Sequence, residues 1–240
     1  MTTGEICRLA DEELASKVVS EALNRGGDFA ELYVERSAST RLPLEEGKIQ
    51  AAEQRSALGA GVRVIHGERQ GYAYSDHLSQ EKLLEAARVA SCIAEGGRSE
   101  RPMRVSQQAH DDFYPVLRAP STAPVREKLQ IVQRANEAAY KHDARVRQVQ
   151  VGYIDALKEI LVANSEGLYI SDTQTMVRIY VAVLAVEGES AHMGFHGGGG
   201  RIGMEFFDRV SPESVAVEAA RQALVQIGAA DAPAGSMPVV

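Results

Sequence analysis

His192 and His196 stand four residues apart, ahead of four glycines, Gly197 to Gly200, and then Arg201. On a helix that spacing puts two imidazoles on one face, where they can share a zinc ion. The segment HMGFHGGGG is poor helix material, however, and no Glu follows His192 as a metallopeptidase pair requires. Both histidines are therefore expected on the surface or in a loop. Gly198 to Gly203 also fits the pattern G-x-G-x-x-G. A dinucleotide site needs a strand directly before that pattern and a helix directly after it. Here the apolar strand pattern ends well before Gly198, and Met204-Glu205-Phe206-Phe207 reads as extended, so the match is accidental. Gly59-Ala60-Gly61 has Val64 where a third glycine would be required, and neither a Walker A sequence nor G-x-S-x-G occurs.

Arg63 and Arg178 interrupt strong strand patterns, and Arg201 follows the glycines. A guanidinium in such a place pairs with a buried carboxylate, or holds a peptide carboxylate or carbonyl. Glu45-Glu46 and Asp111-Asp112 are adjacent pairs, as solvated turns and loops have, and do not face each other across a cleft. Tyr72 and Tyr74 share one strand face, as packing residues do. Residue types alone thus assemble no catalytic constellation. The stretch that stands out runs from Thr175 to Phe207. Met176 to Val186 is almost unbroken apolar β-former, which suits a strand covered on both faces. It feeds the glycine run, whose ordering costs entropy and is tolerated where backbone must approach something closely or stay mobile. Gly198, Gly199, Gly200 and Arg201 are the candidate binding residues.

The elements around them follow from period and punctuation. Asp11 caps a helix with Leu14, Val18 and Ala22 on one stripe, ended by Gly26-Gly27. From Phe29 the period becomes two, and strands near 39–45, 48–56, 58–66 and 70–75 read as an antiparallel meander. Ser79 caps a helix that stops at Gly96-Gly97. Residues 98–123 form a connector. Pro124 opens a second cycle: a helix to about Lys141, strands near 145–154, 157–163, 168–172 and 175–187, the glycine loop, and a helix opened by Ser211-Pro212. The closing helices share Glu-Ala-Ala-Arg, at 85–88 and 218–221, which suggests an internal duplication. The expected class is α+β, with antiparallel sheets flanked by helices. Its units are 1–97, a connector 98–123, a second unit 124–228, and 229–240 as the start of a further domain.

The chain has 240 residues, is 45% hydrophobic and carries a net charge of −7. That length buries a proper core. Basic residues form no stripe or tail, so a nucleic-acid partner is not expected. The two cysteines, Cys7 and Cys92, have neither metal-like nor disulfide-like spacing, which fits a reducing cytoplasm. The acidic N-terminus lacks an apolar signal segment, and no apolar run is long enough for a bilayer.

Four stretches together resemble the TldD/PmbA family, most closely its TldD branch: GVRVIHGERQGYAYSD (61–76), LVANSEGLYISDTQTMVRIYVAV (161–183), GGGGRIGMEFF (197–207) and APAGSMPVV (232–240). The resemblance covers nearly the whole chain. It implies a cytoplasmic zinc metallopeptidase for unfolded peptides and peptide maturation, whose members also carry the name modulator of DNA gyrase. It further implies a PmbA/TldE-type partner or a homodimer. In that family a His-Glu-x-x-x-His motif follows the MPVV segment and supplies zinc ligands, with Glu as general base. No His-Glu pair occurs in these 240 residues. The resemblance therefore implies no catalytic residue, metal ligand or cofactor in this chain, zinc belonging to a longer parent of which this is the N-terminal half. The ending is then natural, proteolytic or designed. The chain alone is expected to be inactive, its glycine loop lying near the parent's peptide cleft. The alternative is a stand-alone peptide-binding module that uses its strand edges without chemistry.

Overall fold

Asp11 starts the first long helix for a local reason: its carboxylate accepts the Leu14 amide at 2.8 Å, satisfying a donor the helix leaves orphaned. Ser211 does the same for Ser214 at 3.1 Å, with Pro212 in the first turn. The computed structural model describes residues 5–94, 102–230 and 234–238. In chain order it contains α1 (Glu5–Leu9), α2 (Glu12–Ala22), β1 (Phe29–Glu45), β2 (Lys48–Ile49), β3 (Glu53–His66), β4 (Arg69–Ser75) and α3 (Gln80–Ser91). There follow β5 (Ser106–Gln107), a 3-10 turn (Pro120–Thr122), α4 (Val125–His142), β6 (Val146–Asn164), β7 (Leu168–Glu187), β8 (Ser190–Gly200), α5 (Phe206–Arg209) and α6 (Pro212–Ile227).

The strands form one eight-stranded sheet in the order β4-β3-β1-β6-β7-β5, with β2 on β1 and β8 on β7. The β3/β4 and β7/β8 pairs are antiparallel, and the two-residue β5 joins β7 in parallel. Just beyond the paired strands, the Ser165 amide reaches the Ala30 carbonyl and the Glu46 amide reaches that of Val149. One index rises as the other falls, so β1 and β6 run antiparallel. The expected α+β class holds. The two sequence halves, α2-β1-β3-β4-α3 and α4-β6-β7-β8-α6, also share one strand order, first strand innermost and third outermost.

The chain divides into two compact units. One comprises Met1–Ser39, Gln54–Val116 and Ala156–Thr175; the other comprises Thr40–Glu53, Leu117–Asp155 and Met176–Val240. In the first, Ala15, Val18 and Val19 of α2 and Leu83, Ala86 and Ala87 of α3 pack on Leu32, Val34, Val62 and Val64. In the second, Ile131, Val132 and Ala135 of α4 and Val215, Ala219 and Ala223 of α6 pack on Leu42, Leu44, Val151, Ile179 and Val181. Each fully buried Leu or Val contributes roughly 1.5–3 kcal/mol of transfer free energy.

Several sequence expectations change. The strands anticipated at 145–154 and 157–163 are one, β6, and those at 168–172 and 175–187 are one, β7. β7 is not covered on both faces: burial alternates from Met176 to Val186, because among the described residues helices cover one side only. The glycine loop is not a loop, since Gly197–Gly200 complete β8. Met204-Glu205 is a turn and Phe206-Phe207 open α5, so the segment is not extended. The connector holds β5 and the 3-10 turn. The helix opened by Ser79 ends at Ser91 with Cys92 as its cap, short of Gly96-Gly97, which lie, like the terminal Val239-Val240, outside the described residues.

Candidate functional site

Gly197–Gly200 stay in a strand because β7 dictates it. Gly197, Gly198, Gly199 and Gly200 sit opposite Tyr180, Ile179, Arg178 and Val177. A Cβ on Gly199 would lie 2.3 Å from the Val177 carbonyl oxygen, and one on Gly197 would lie 2.9 Å from that of Ile179. Those two glycines therefore have a packing reason. A Cβ on Gly198 would touch the Phe206 ring at 3.0 Å, and one on Gly200 would meet nothing closer than Ile202 at 3.7 Å. Close approach explains 197, 198 and 199, and leaves Gly200 without a close neighbour.

Arg201 begins the turn that leaves the sheet, and a buried carboxylate anchors that turn. Glu205 accepts the amides of Arg118 at 2.9 Å, Gly203 at 3.1 Å and Leu117 at 3.2 Å. Burial alone would raise its pKa, but these amides outweigh it and hold the carboxyl below its usual range. Glu205 thus adds stability above the unfolded carboxylate pKa, lost as pH falls through its lower folded value. Arg118 closes the same junction, donating to the Met204 carbonyl at 3.0 Å and to Asp208 at 2.8 Å.

The other candidates sort plainly. Arg63 pairs with Glu31 at 2.9 Å, which is its structural role. Arg178 lies 5.8 Å from the centre of the Tyr180 ring on the strand face away from the helices. Tyr72 and Tyr74 are exposed and not packed inside, although the Tyr72 hydroxyl sits over Gly61. Glu45 accepts from Gln148 at 3.2 Å and Gln150 at 2.8 Å, while Glu46 takes a positive φ of 50° in its turn. Asp112 accepts the Tyr114 amide at 3.1 Å. The histidines are strand residues, half-buried in β8, and not loop residues. Four positions along a strand separate their backbones by about 13 Å, too far for one zinc ion. Among the described residues no three His, Cys, Asp or Glu side chains gather as a metal site would. The described side chains, His192 and His196 included, do not make up a zinc centre.

Inspection of residue types missed a buried ion pair in the second unit. Lys128 Nζ lies 2.6 Å from Asp155 and 3.5 Å from the Thr40 hydroxyl, with both charged side chains almost fully enclosed. Burial, and then the Asp155 charge, push the Tyr153 phenol well above its usual range. A signal existed: Lys128 falls on the apolar stripe of α4 with Ile131, Val132 and Ala135, and Asp155 continues the buried alternation of Val149, Val151 and Tyr153.

Comparison with known proteins adds the following. A family model described as PmbA/TldA metallopeptidase domain 1 matches residues 30–94, and one described as PmbA/TldA metallopeptidase central domain matches residues 118–227. The metalloprotease TldD homolog of Haemophilus influenzae is 30% identical over 227 residues, covering 90% of this chain and 46% of its own length. That of Buchnera aphidicola from Acyrthosiphon pisum is 28% identical over 229 residues, covering 92% and 47%. Among solved structures, a putative modulator of a DNA gyrase from Thermotoga maritima superposes with a TM-score of 0.74 at 19% identity, over 93% of this chain and 50% of that one. TldE from Thermococcus kodakarensis gives 0.69 at 18% identity, over 88% and 47%. At those identities the structures establish the fold. The chain spans about half the length of the curated relatives it matches.

Proposed function

The chain belongs to the PmbA/TldD metallopeptidase family, and from that premise we propose that it is the substrate-guiding, dimer-forming half of a TldD-like zinc metallopeptidase for unfolded peptides. In this reading zinc, which activates a bound water when present, takes its ligands and general base from outside these 240 residues. The residues here supply a wall along which an extended peptide lies, beside Gly198, Gly199, Gly200 and Arg201. The carrying observation is the match to two metallopeptidase domains joined to an 11-residue strand, β8, that has β7 on one side only among the described residues. A strand edge of that kind holds peptide backbone by adding one strand to the sheet, whatever the peptide's sequence.

The proposal extends to a cytoplasmic setting, to peptide maturation as a task, and to a PmbA/TldE-type partner or a second copy. Among the described residues no helix is long and apolar enough to cross a membrane. A net charge of −7 argues against a nucleic-acid partner. The same β8 edge would also serve a peptide-binding module without catalysis. Sequencing past codon 240 separates the two: a His-Glu-x-x-x-His segment favours the peptidase half, and an immediate stop codon favours the module.

Peptide guidance itself has a direct test. Fluorescence anisotropy of a short, unstructured, fluorescein-labelled peptide should rise saturably on titration with the chain, and the peptide should be recovered intact. A flat titration would remove the guiding role.

A further inference from the structure

Resting on that peptide-guiding reading, we propose that a peptide docks on the β8 edge from Phe195 through Gly199 toward Arg201, and that Gln226 fixes where the docking edge stops on the Met193 side. In an antiparallel strand the amide and carbonyl of one residue point to the same side, and successive residues alternate. The Ile179 and Val177 carbonyls close on Gly197 and Gly199, opposite Gly198 and Gly200, so the even-numbered residues of β8 bond to β7. The odd-numbered residues, Met193, Phe195, Gly197 and Gly199, then direct their backbone groups outward. One of these outward carbonyls is occupied: Gln226 Nε2 of α6 donates to the Met193 carbonyl at 3.0 Å.

An incoming strand pairs with an outward residue through both its amide and its carbonyl. At Met193 it would have to displace Gln226, whereas at Phe195, Gly197 and Gly199 no other strand competes among the described residues. The available edge is therefore about 13 Å long, enough for roughly five peptide residues. Gly197 and Gly199 leave its sheet face low, while Phe195, stacked on Tyr180 with ring centres 6.1 Å apart, gives an apolar surface at the end near Gln226. Gln226 itself is exposed on α6, so its replacement leaves the core untouched. Natural proteins limit how far a strand edge recruits partners by covering part of it.

The test is amide hydrogen exchange resolved by NMR on the full chain, with and without the labelled peptide at saturation. Expected is a slowing of roughly tenfold or more at the Phe195, Gly197 and Gly199 amides and none at Met193. In Gln226→Ala the slowing should extend to Met193. Slowing that already includes Met193 in the unaltered chain, that spares the three residues while anisotropy shows bound peptide, or that Gln226→Ala leaves unchanged, would overturn the proposal and leave peptide guidance standing. Absence of any anisotropy change would overturn both.

Discussion

Gly194→Ala is expected to cost about 3 kcal/mol, lowering the melting temperature by roughly 6–12 °C for a chain of this size. A Cβ at this position would lie 2.0 Å from the Ala219 carbonyl oxygen and 2.5 Å from the Ala223 nitrogen. Both are helix backbone, so no side chain can swing aside and α6 must back away from β8. That movement would loosen Ala219, Ala220 and Ala223, which are fully buried against the sheet. Gly71→Ala should behave alike in the first unit, where its Cβ would meet the Ala90 carbonyl oxygen of α3 at 2.1 Å. Gly228→Ala has open space around it and serves as control, with an expected change inside 0.5 kcal/mol. Urea unfolding followed by circular dichroism reads all three. A loss below 1 kcal/mol at Gly194 would mean that the helix does not rest on that glycine.

Removing either partner of the Lys128–Asp155 pair should cost 3–5 kcal/mol, on the order of what a stranded buried charge takes from a fold. The two groups meet at 2.6 Å with side chains 5% and 7% exposed, so water cannot take over from the missing partner. Replacing both, as Lys128→Met with Asp155→Leu, should cost far less than the two single changes together, because no charge is left unpaired. A double-mutant cycle in urea gives the coupling directly. Additive losses would show that the pair does not act as a unit.

These two predictions also show where the sequence was legible. Glu-Ala-Ala-Arg looked like a trace of duplication, and two residues beyond it in each helix Ala90 and Ala223 stand at matching places of α3 and α6, each against a glycine of an outer strand. Caps at Asp11, Ser79 and Ser211 were readable because a short polar side chain before an apolar stripe has one local use. The strand at Gly197–Gly200 was not readable, because glycine carries no period and its conformation is imposed by β7, a partner in space. β7 itself read as doubly covered because Ala182, Leu184 and Val186 stay apolar on the face that no helix covers. Lys128 and Asp155 are 27 residues apart, and their meeting depends on tertiary packing that no local pattern encodes. Arg63 could be read as ion pair or as ligand contact, and its partner in the fold is Glu31, 32 residues away in sequence.

The central claim is that this chain guides peptide while the metal and the bond cleavage belong to residues beyond it. Zinc content by mass spectrometry after dialysis against excess zinc, with peptide recovery measured on the same sample, tests it most directly. The account predicts substoichiometric zinc and intact peptide. One tightly held zinc per chain together with peptide turnover would contradict it.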